Sequence, residues 1–411
     1  MNAAIDERGE DAQSLARYRA AARAFLERHA PAYSGAARSG LSKDEDLALG
    51  RAWMKLKCEH GYSSISLPKK FGGGGGTQVQ RIVFAEEESR WDVPIKYFGV
   101  SLGMPVPIMA AYASEAECIR LLPPAVRGEM IWCQLFSEPA AGSDLAALRT
   151  SARREGDRWI LNGQKLWTSW AHYADWGVLV ARHDPNLAKH KGLTYFYVDM
   201  RTPGISVRSV KLLAGDSHVN EVFFDNVEIP DSQRLGEVGD GFKISIHTLM
   251  IERYSVLDVW GSGPNLHTLL GLLRGHTLNG RPAIEDPRFR ELAVDAIIEE
   301  RALLEIQRRA FAAIQAGRPA GPEGSIGKLL IASKRQQLSR VAMDLLGPAA
   351  LTVPEGMNTQ LNATASWITG PLMRIAGGTD QILRNTIAEK VLGLPQDHRP
   401  DKSVAFNKVP G

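Results

Sequence analysis

Cysteine is scarce in this sequence: three in 411 residues, Cys58, Cys118 and Cys133, with no CxxC and no Cys/His pair at metal-ligand spacing. That excludes a disulfide scaffold and a structural zinc site, and it fits a reducing compartment with the thiols in the core. Long apolar runs are also missing, since none reaches the roughly 18 residues of a membrane span. The opening MNAAIDERGEDAQ is acidic and polar where a secretory signal is apolar and a transit peptide Arg-rich, so a soluble cytoplasmic protein is expected. Charge of one sign is absent: 49 Lys and Arg against 46 Asp and Glu leave +3, no basic block stands apart, and nucleic acid is not an expected ligand. There is no GxSxG elbow, HExxH, Walker loop or fixed repeat. The ten histidines do not cluster, and His183 and His190 flank a loop as expected solvent-exposed residues rather than ligands.

What is present is an ordinary globular composition, 44% apolar and 23% charged, in a chain longer than one hydrophobic core sustains. Two or three packed units are therefore expected. Helical spacing from Ala16 to Leu26 and from Leu47 to Cys58 opens the chain, with Ser42 and Glu45 as a capping box before the second helix. The run Gly72 to Gly76 reads as a flexible loop; it follows no strand, which argues against a dinucleotide fingerprint. After Trp132 come short β-branched and aromatic segments: Arg158 to Leu161, Trp176 to Ala181, Leu193 to Met200, Ile205 to Val210 and Asn220 to Ile229. Turn pairs such as Gly156-Asp157 and Asn162-Gly163 separate them, so an antiparallel barrel or sandwich is expected. From Gly241 onward four helices are expected: Phe242 to Trp260, Glu291 to Gln315, Ile326 to Leu346 and Asp380 to Leu392, the third stopped by Gly347-Pro348. The α+β architecture is thus helices (1–131), a central antiparallel β-barrel (132–238) and a C-terminal four-helix bundle (239–411).

Three segments could carry chemistry. On a helical wheel Phe242, Ile246, Leu249, Met250, Val256, Leu257 and Trp260 form one stripe, with Arg253 near its middle and Glu252 on its flank. Such a pair is either a satisfied buried ion pair or a poorly solvated carboxylate fit for general-base work. In AGGTDQILRN, Thr379 is an N-cap, and the glycines leave backbone N–H donors open to a phosphate or an electron-rich ring. CQLFSEPAAGSDL, Cys133 to Leu145, is a strand followed by a small-residue turn offering Ser137 and Ser143.

Taken in order, CQLFSEPAAGSDL, NGQKLWTSWAHYADW, VNEVFFDNVEIP, GDGFKISIHTLMIERY and AGGTDQILRNTIAEKVLGLP resemble successive signatures of the acyl-CoA dehydrogenase family over nearly the whole chain. In particular they resemble bacterial dehydrogenases of the pimeloyl-CoA large-subunit and steroid side-chain types. The resemblance implies FAD between barrel and bundle, with Gln134, Phe136 and Ser137 facing the isoalloxazine, Gly142 in their loop, Ser143 near a flavin phosphate and the pantetheine arm, and Trp167, Thr168 and Ser169 closing over the ring. It further implies flavin contacts from Gly378, Thr379 and Gln381, and a role for Gly347 toward a neighbouring subunit. Family chemistry removes the α-proton of an acyl-CoA thioester with a carboxylate while a hydride leaves the β-carbon. Many members place that base just before the Gly-Thr pair; here the position is Gly377. A second subset, the isovaleryl-CoA and long-chain types, carries it in a Glu-Arg pair, which matches Glu252-Arg253. The resemblance therefore implies Glu252 as base, Arg253 on the CoA end, and at Gly377 an acyl pocket widened for a bulky, branched or ring-bearing chain. An electron-transfer flavoprotein is the implied acceptor. The family's Arg-rich segment has no match in LLRGHTLNGRPAIEDP, which leaves a homotetramer or an α2β2 heterotetramer with a related subunit. Two other readings are a non-catalytic subunit and an oxygen-using oxidase or flavin monooxygenase.

Overall fold

Six helices come first, α1 (Ala12–His29), α2 (Lys43–Glu59), α3 (Gln78–Glu88), α4 (Gly99–Gly103), α5 (Pro105–Tyr112) and α6 (Glu115–Val126), in a computed structural model that describes residues 12–259, 266–315, 321–351 and 363–409. The expected capping box opens α2: the Ser42 side chain accepts from the Glu45 N–H, and the Glu45 carboxylate accepts from the Ser42 N–H at 2.8 Å. Thr77 and Gln80 repeat the device at α3. Apolar faces of these helices meet around Phe25, Leu26, Trp53 and Phe84. Glu88 is buried among them, held by Lys57 at 2.8 Å and the Trp53 indole N–H at 3.0 Å, since a buried carboxylate needs such partners.

The Gly72–Gly76 run is not the flexible loop its composition suggests. Its five backbone N–H groups donate in turn to the carbonyls of Lys69, Pro68, Ser64, Leu67 and Ile65. A Cβ at Gly73 or Gly74 would meet a backbone oxygen at 2.2 or 2.5 Å, so glycine is required there by backbone lying on backbone.

Eight strands follow: β1 (Trp132–Leu135), β2 (Ser151–Glu155), β3 (Arg158–Ser169), β4 (Trp176–Arg182), β5 (Leu193–Asp199), β6 (Ile205–Val210), β7 (Val219–Pro230) and β8 (Arg234–Leu235). They form a sheet in the order β6-β7-β3-β2-β4-β5-β8, with β1 beside β4. The sheet is open, so the expected barrel is corrected: β6 and β8 are edges and do not pair with each other. β8 is only two residues long and its two rungs go to β5, so it has no length to close against β6. β1 is a second departure from the expected spacing. It runs parallel to β4 from Trp132↔Trp176 to Leu135↔Leu179, and leaves β2 a single rung, Ser151↔Arg182, on the same side. Strand spacing in a sequence cannot show that a four-residue strand takes the place a barrel would give to β2. Asn162-Gly163, expected as a turn, lies inside β3; Gly163 has φ +148° and the register against β7 shifts there, a bulge.

β4 and β5 are buried on both faces, and alternate side chains sort between two cores. Val178, Val180, Tyr195 and Tyr197 pack with α5 and α6. Leu179, Ala181, Phe196 and Val198 pack with Trp159, Leu161, Val222 and Val227. Cys118 and Cys133 are core residues as expected, while Cys58 is only half-buried. His183 and His190 are half-buried rather than exposed: His183 Nδ1 lies 3.0 Å from the Thr194 hydroxyl, His190 packs edge-on to Phe242, and burial lowers the pKa of both.

The remaining elements are α7 (Gly241–Val259), α8 (Leu266–Gly275), the short pair β9 (Thr277–Leu278) and β10 (Arg281–Pro282), α9 (Pro287–Gln315), α10 (Gly324–Leu346), α11 (Ala363–Met373) and α12 (Asp380–Thr386), which passes into a π-turn at Ile387–Val391. The four expected helices are found, except that Trp260 lies outside the described residues. Two more join them, so a four-helix set understates this part: α8 carries an internal glycine and α11 contains Pro371, both of which read as breakers. By contacts the chain divides into two compact units, Ala16–Ser255 with Gln396–Gly411, and Val256–Pro395 with the residues up to Leu15. Among the described residues no helix is long and apolar enough to cross a membrane, and no His, Cys, Asp and Glu cluster could hold a metal.

Acid sensitivity is built into the first helices. Glu87, 1% exposed, accepts from Arg23 at 3.1 Å and Arg19 at 2.8 Å, and the Arg23 bond chiefly holds its carboxyl at about 2 against an ordinary 4.5. A depressed carboxylate stabilises fully above its unfolded pKa and loses that contribution as pH falls through the folded one. Glu87→Gln should therefore lower the melting temperature by several degrees at neutral pH, with the gap to the parent shrinking between about pH 4.5 and 2. Thermal melts across that range check this; a gap independent of pH contradicts it.

Candidate functional site

Two of the segments singled out from the sequence lie side by side in the first unit. β1 carries Gln134 and runs on into Phe136, Ser137 and Glu138, while β3 ends in Lys165, Leu166, Trp167, Thr168 and Ser169. The Lys165 ammonium donates to the Phe136 carbonyl at 3.0 Å, and the Leu166 N–H donates to the Ser137 carbonyl at 2.8 Å. β3 can turn to these partners because its register against β7 slips between Lys165 and Thr168. Trp167 stands in the slip with φ +62° and a side chain 53% exposed. A left-handed backbone at a large L-residue costs about 1–3 kcal/mol and is characteristic of functional sites. Thr168 is buried and Ser169 half-buried beside it.

The charge under this loop was not anticipated. Lys165 has no exposed surface, and its ammonium meets the Glu138 carboxylate at 2.8 Å. Glu138 also accepts the backbone N–H groups of Arg149 at 2.6 Å and Thr150 at 2.9 Å. Burial pushes the Lys165 ammonium down to about 8 despite Glu138; burial opposes charge on Glu138 too, but Lys165 and the two amides hold its carboxyl below the usual carboxylate range. A lysine inside a strand-like run, two residues after Asn162-Gly163, was the available signal. Beyond Glu138 the chain doubles back through reciprocal Glu138 and Ala141 backbone bonds of 2.9 and 3.1 Å, which leaves Gly142 and Ser143 exposed at the tip.

α7 leans on the same core. Ile244 is buried in the cluster that contains Phe136 and Tyr195, and the Tyr195 ring meets Phe136 edge-on at 5.7 Å. The Thr248 hydroxyl donates to the Ile244 carbonyl at 2.8 Å, so at 3.0 Å the Tyr195 phenol is the donor to Thr248. Glu252 is one turn further on the same face of α7, and half-buried. The buried stripe here is Ile244, Ser245 and Thr248, whereas Ile246, expected inside, is 43% exposed. The side chain of Arg253 lies outside the described residues.

The second unit holds the remaining candidates. Gly377 and Gly378 have φ +68° and +100°, and Thr379 caps α12 as expected, accepting the Ile382 N–H at 3.2 Å. Lys328 on α10 donates to the carbonyls of Met373 and Gly378, both at 2.8 Å, and Asp380 pairs with Arg374, which fixes the loop from both sides. Gln381 is exposed. Gly347 is not brought to this loop: it terminates α10, 19 residues beyond Lys328, about 28 Å along a helix.

Comparison with known proteins identifies the family. Residues 13–129, 133–227 and 239–392 match the N-terminal, middle and C-terminal domain models of acyl-CoA dehydrogenases. The acyl-CoA dehydrogenase IpdE1 of Mycobacterium tuberculosis is 34% identical over 356 residues, 84% of this chain and 88% of that relative. The chain belongs to the acyl-CoA dehydrogenase family. It is therefore an oxidoreductase of a family of FAD-binding flavoproteins. Acyl-CoA dehydrogenase FadE34 of the same bacterium is 37% identical over 333 residues, 80% of this chain but only 44% of that longer relative. Among solved structures, the Tcur3481-Tcur3483 steroid ACAD superposes with a TM-score of 0.78 at 25% identity, over 96% of this chain and all of that one. The ChsE4-ChsE5 complex from Mycobacterium tuberculosis, at 23% identity and a TM-score of 0.76 over 95% of this chain and 100% of that one, shares the fold.

The residues present fit an acyl-CoA dehydrogenase flavin. Two polar atoms beside the loop, Gln134 Nε2 and Thr168 Oγ1, are buried without any hydrogen-bond partner, a state that costs stability unless a ligand supplies one. If Thr168 is kept for the cofactor, Thr168→Val should leave the apoprotein as stable or up to about 1 kcal/mol more stable while weakening FAD binding. Thermal melts of apoprotein with FAD titration check this; a destabilised apoprotein with undiminished FAD affinity contradicts it.

Proposed function

We propose that this chain is a FAD-dependent acyl-CoA dehydrogenase that converts an acyl-CoA thioester into its 2-enoyl-CoA, with Glu252 as the α-proton base. The observation that carries the reading is the placement of Glu252: half-buried and one turn beyond Thr248, whose hydroxyl accepts from Tyr195, the ring that meets Phe136. Gly377, where many relatives keep their base, has no carboxylate to offer. FAD, when bound, supplies the acceptor for the hydride that leaves the β-carbon. The chain's own residues do the rest. Gln134 and Thr168 donate or accept at the cofactor edge, Phe136 and Ser137 shape its face, and the exposed Trp167 indole covers it and excludes water. Ser143 at the loop tip, with Gly142, is the donor for a phosphate or amide of the CoA arm, and Arg253 serves its anionic end. In the second unit, Gly378, Thr379 and Gln381 are flavin candidates by the family resemblance, and Gly347 is one toward a neighbouring subunit. Glu252 takes the α-proton.

A bulky, branched or ring-bearing acyl group is supported by the glycine at 377 and by the likeness to a steroid dehydrogenase. The same likeness, to a protein named for two polypeptides, favours an α2β2 assembly over a homotetramer; the acceptor implied by the family resemblance is an electron-transfer flavoprotein. We take 1–131, 132–238 and 239–411 as the three functional segments. The test is anaerobic reduction of bound FAD by straight, branched and steroidal acyl-CoAs. Bulky thioesters should bleach the parent, and Glu252→Gln should keep its FAD while the bleaching rate falls by about 10² to 10⁴. Undiminished reduction in that variant overturns the assignment.

A further inference from the structure

A second cation lies beneath the Phe136–Arg149 loop, and nothing in the reaction above uses it. Arg182, at the end of β4, is 4% exposed. Its guanidinium donates to three carbonyls, Ala146 at 2.5 Å, Leu148 at 3.0 Å and Lys189 at 3.2 Å, and to no carboxylate among the described residues. Burial pushes its pKa down to about 10. A guanidinium this deep needs either an anion or a π-face in place of water. It has the ring of Phe406, whose centroid is 3.5 Å away.

Phe406 arrives from a distant part of the sequence. The chain returns after Gln396 to the first unit and lays residues 401–409 along the β4–β5 loop. Ala405 bridges Ala188, the Phe406 N–H donates to the Leu187 carbonyl at 2.9 Å, and the Asn407 side-chain amide donates to the Asn186 side chain at 2.9 Å. Asp401 binds Lys189 at 2.8 Å, and the same ammonium binds Asp144, next to Ser143, at 2.9 Å. The loop that carries the cofactor candidates is thus held at Phe136 and Glu138 by Lys165, at Asp144 by Lys189, and at Ala146 and Leu148 by Arg182. Two of these three cations are completed only by the returning segment.

We propose that Asp401–Val409 is a strap that fixes Arg182 and Lys189, and through them the Gly142–Arg149 part of the cofactor loop, so that FAD retention depends on a segment outside the site. Arg182 and Lys189 are then positioning residues, acting on the cofactor through backbone carbonyls and Asp144. The inference rests on the reading of this loop as a FAD site.

The experiment compares the full chain with a version lacking residues 400–411 and with Phe406→Trp and Phe406→Leu. FAD affinity is titrated into the apoproteins, and amide exchange is followed by peptide. The deletion should weaken FAD binding by about tenfold or more and raise exchange in the peptide spanning 144–150, with little change in α1–α3. Phe406→Trp, which keeps a π-face over Arg182, should bind FAD nearly as the parent does, while Phe406→Leu should resemble the deletion. If the deletion leaves both FAD affinity and exchange at 144–150 unchanged, the strap is wrong. Failure of the functional reading shows differently: the full chain takes up no FAD, yet the deletion still raises exchange at 144–150.

Discussion

Lys165 has to be charged or neutral in a place where water cannot reach it, and much of the first unit is arranged around that requirement. Its partner Glu138 must be brought in from the loop after β1, and that carboxylate in turn draws the backbone of Arg149 and Thr150 toward it. One buried ion pair thereby closes a loop twelve residues long and sets β1, the turn at Ser143 and the start of β2 in register with β3. Burying an ion pair adds little net stability compared with apolar packing, but breaking it leaves an uncompensated charge. The pair therefore specifies a geometry more than it strengthens the fold.

That geometry leaves polar atoms without partners. Gln134 Nε2 and Thr168 Oγ1 are buried and unmatched, and Trp167 is held in a left-handed backbone with its ring half in solvent. A fold that satisfied only itself would remove each of these. Their proximity to the Phe136 loop is the observation on which the proposed flavin site rests. The proposed base belongs to the same logic. Glu252 is carried by a helix whose Thr248 is tied through Tyr195 to Phe136, so the carboxylate is positioned by the core that holds the Phe136 loop.

Local chemistry was legible in the sequence where short-range rules decide it. The Ser42 and Glu45 capping box, the Thr379 cap and the cores of β3 to β7 are found where the pattern puts them. What failed depended on distant partners. The barrel was inferred from strand spacing, but the edge strands β6 and β8 do not pair, and β8 is only two residues long. Asn162-Gly163 has the chemistry of a turn, yet Thr150 lies against Gly163 and β7 runs alongside, so it became a bulge. The wheel placed Ile246 inside because apolarity was its only guide, whereas Ser245 and Thr248 are the buried ones, each bonded to a carbonyl one turn back. Lys165, Glu138 and Arg182 went unnoticed because charge in a sequence says nothing of burial until the partner is known.

The central question is whether the unmatched atoms around the Phe136 loop belong to a flavin held by this chain itself. The most direct measurement is the absorbance spectrum and flavin-to-protein ratio of the chain purified alone. A yellow protein carrying close to one FAD per chain is the result expected. A colourless chain that takes up no added FAD would contradict the account.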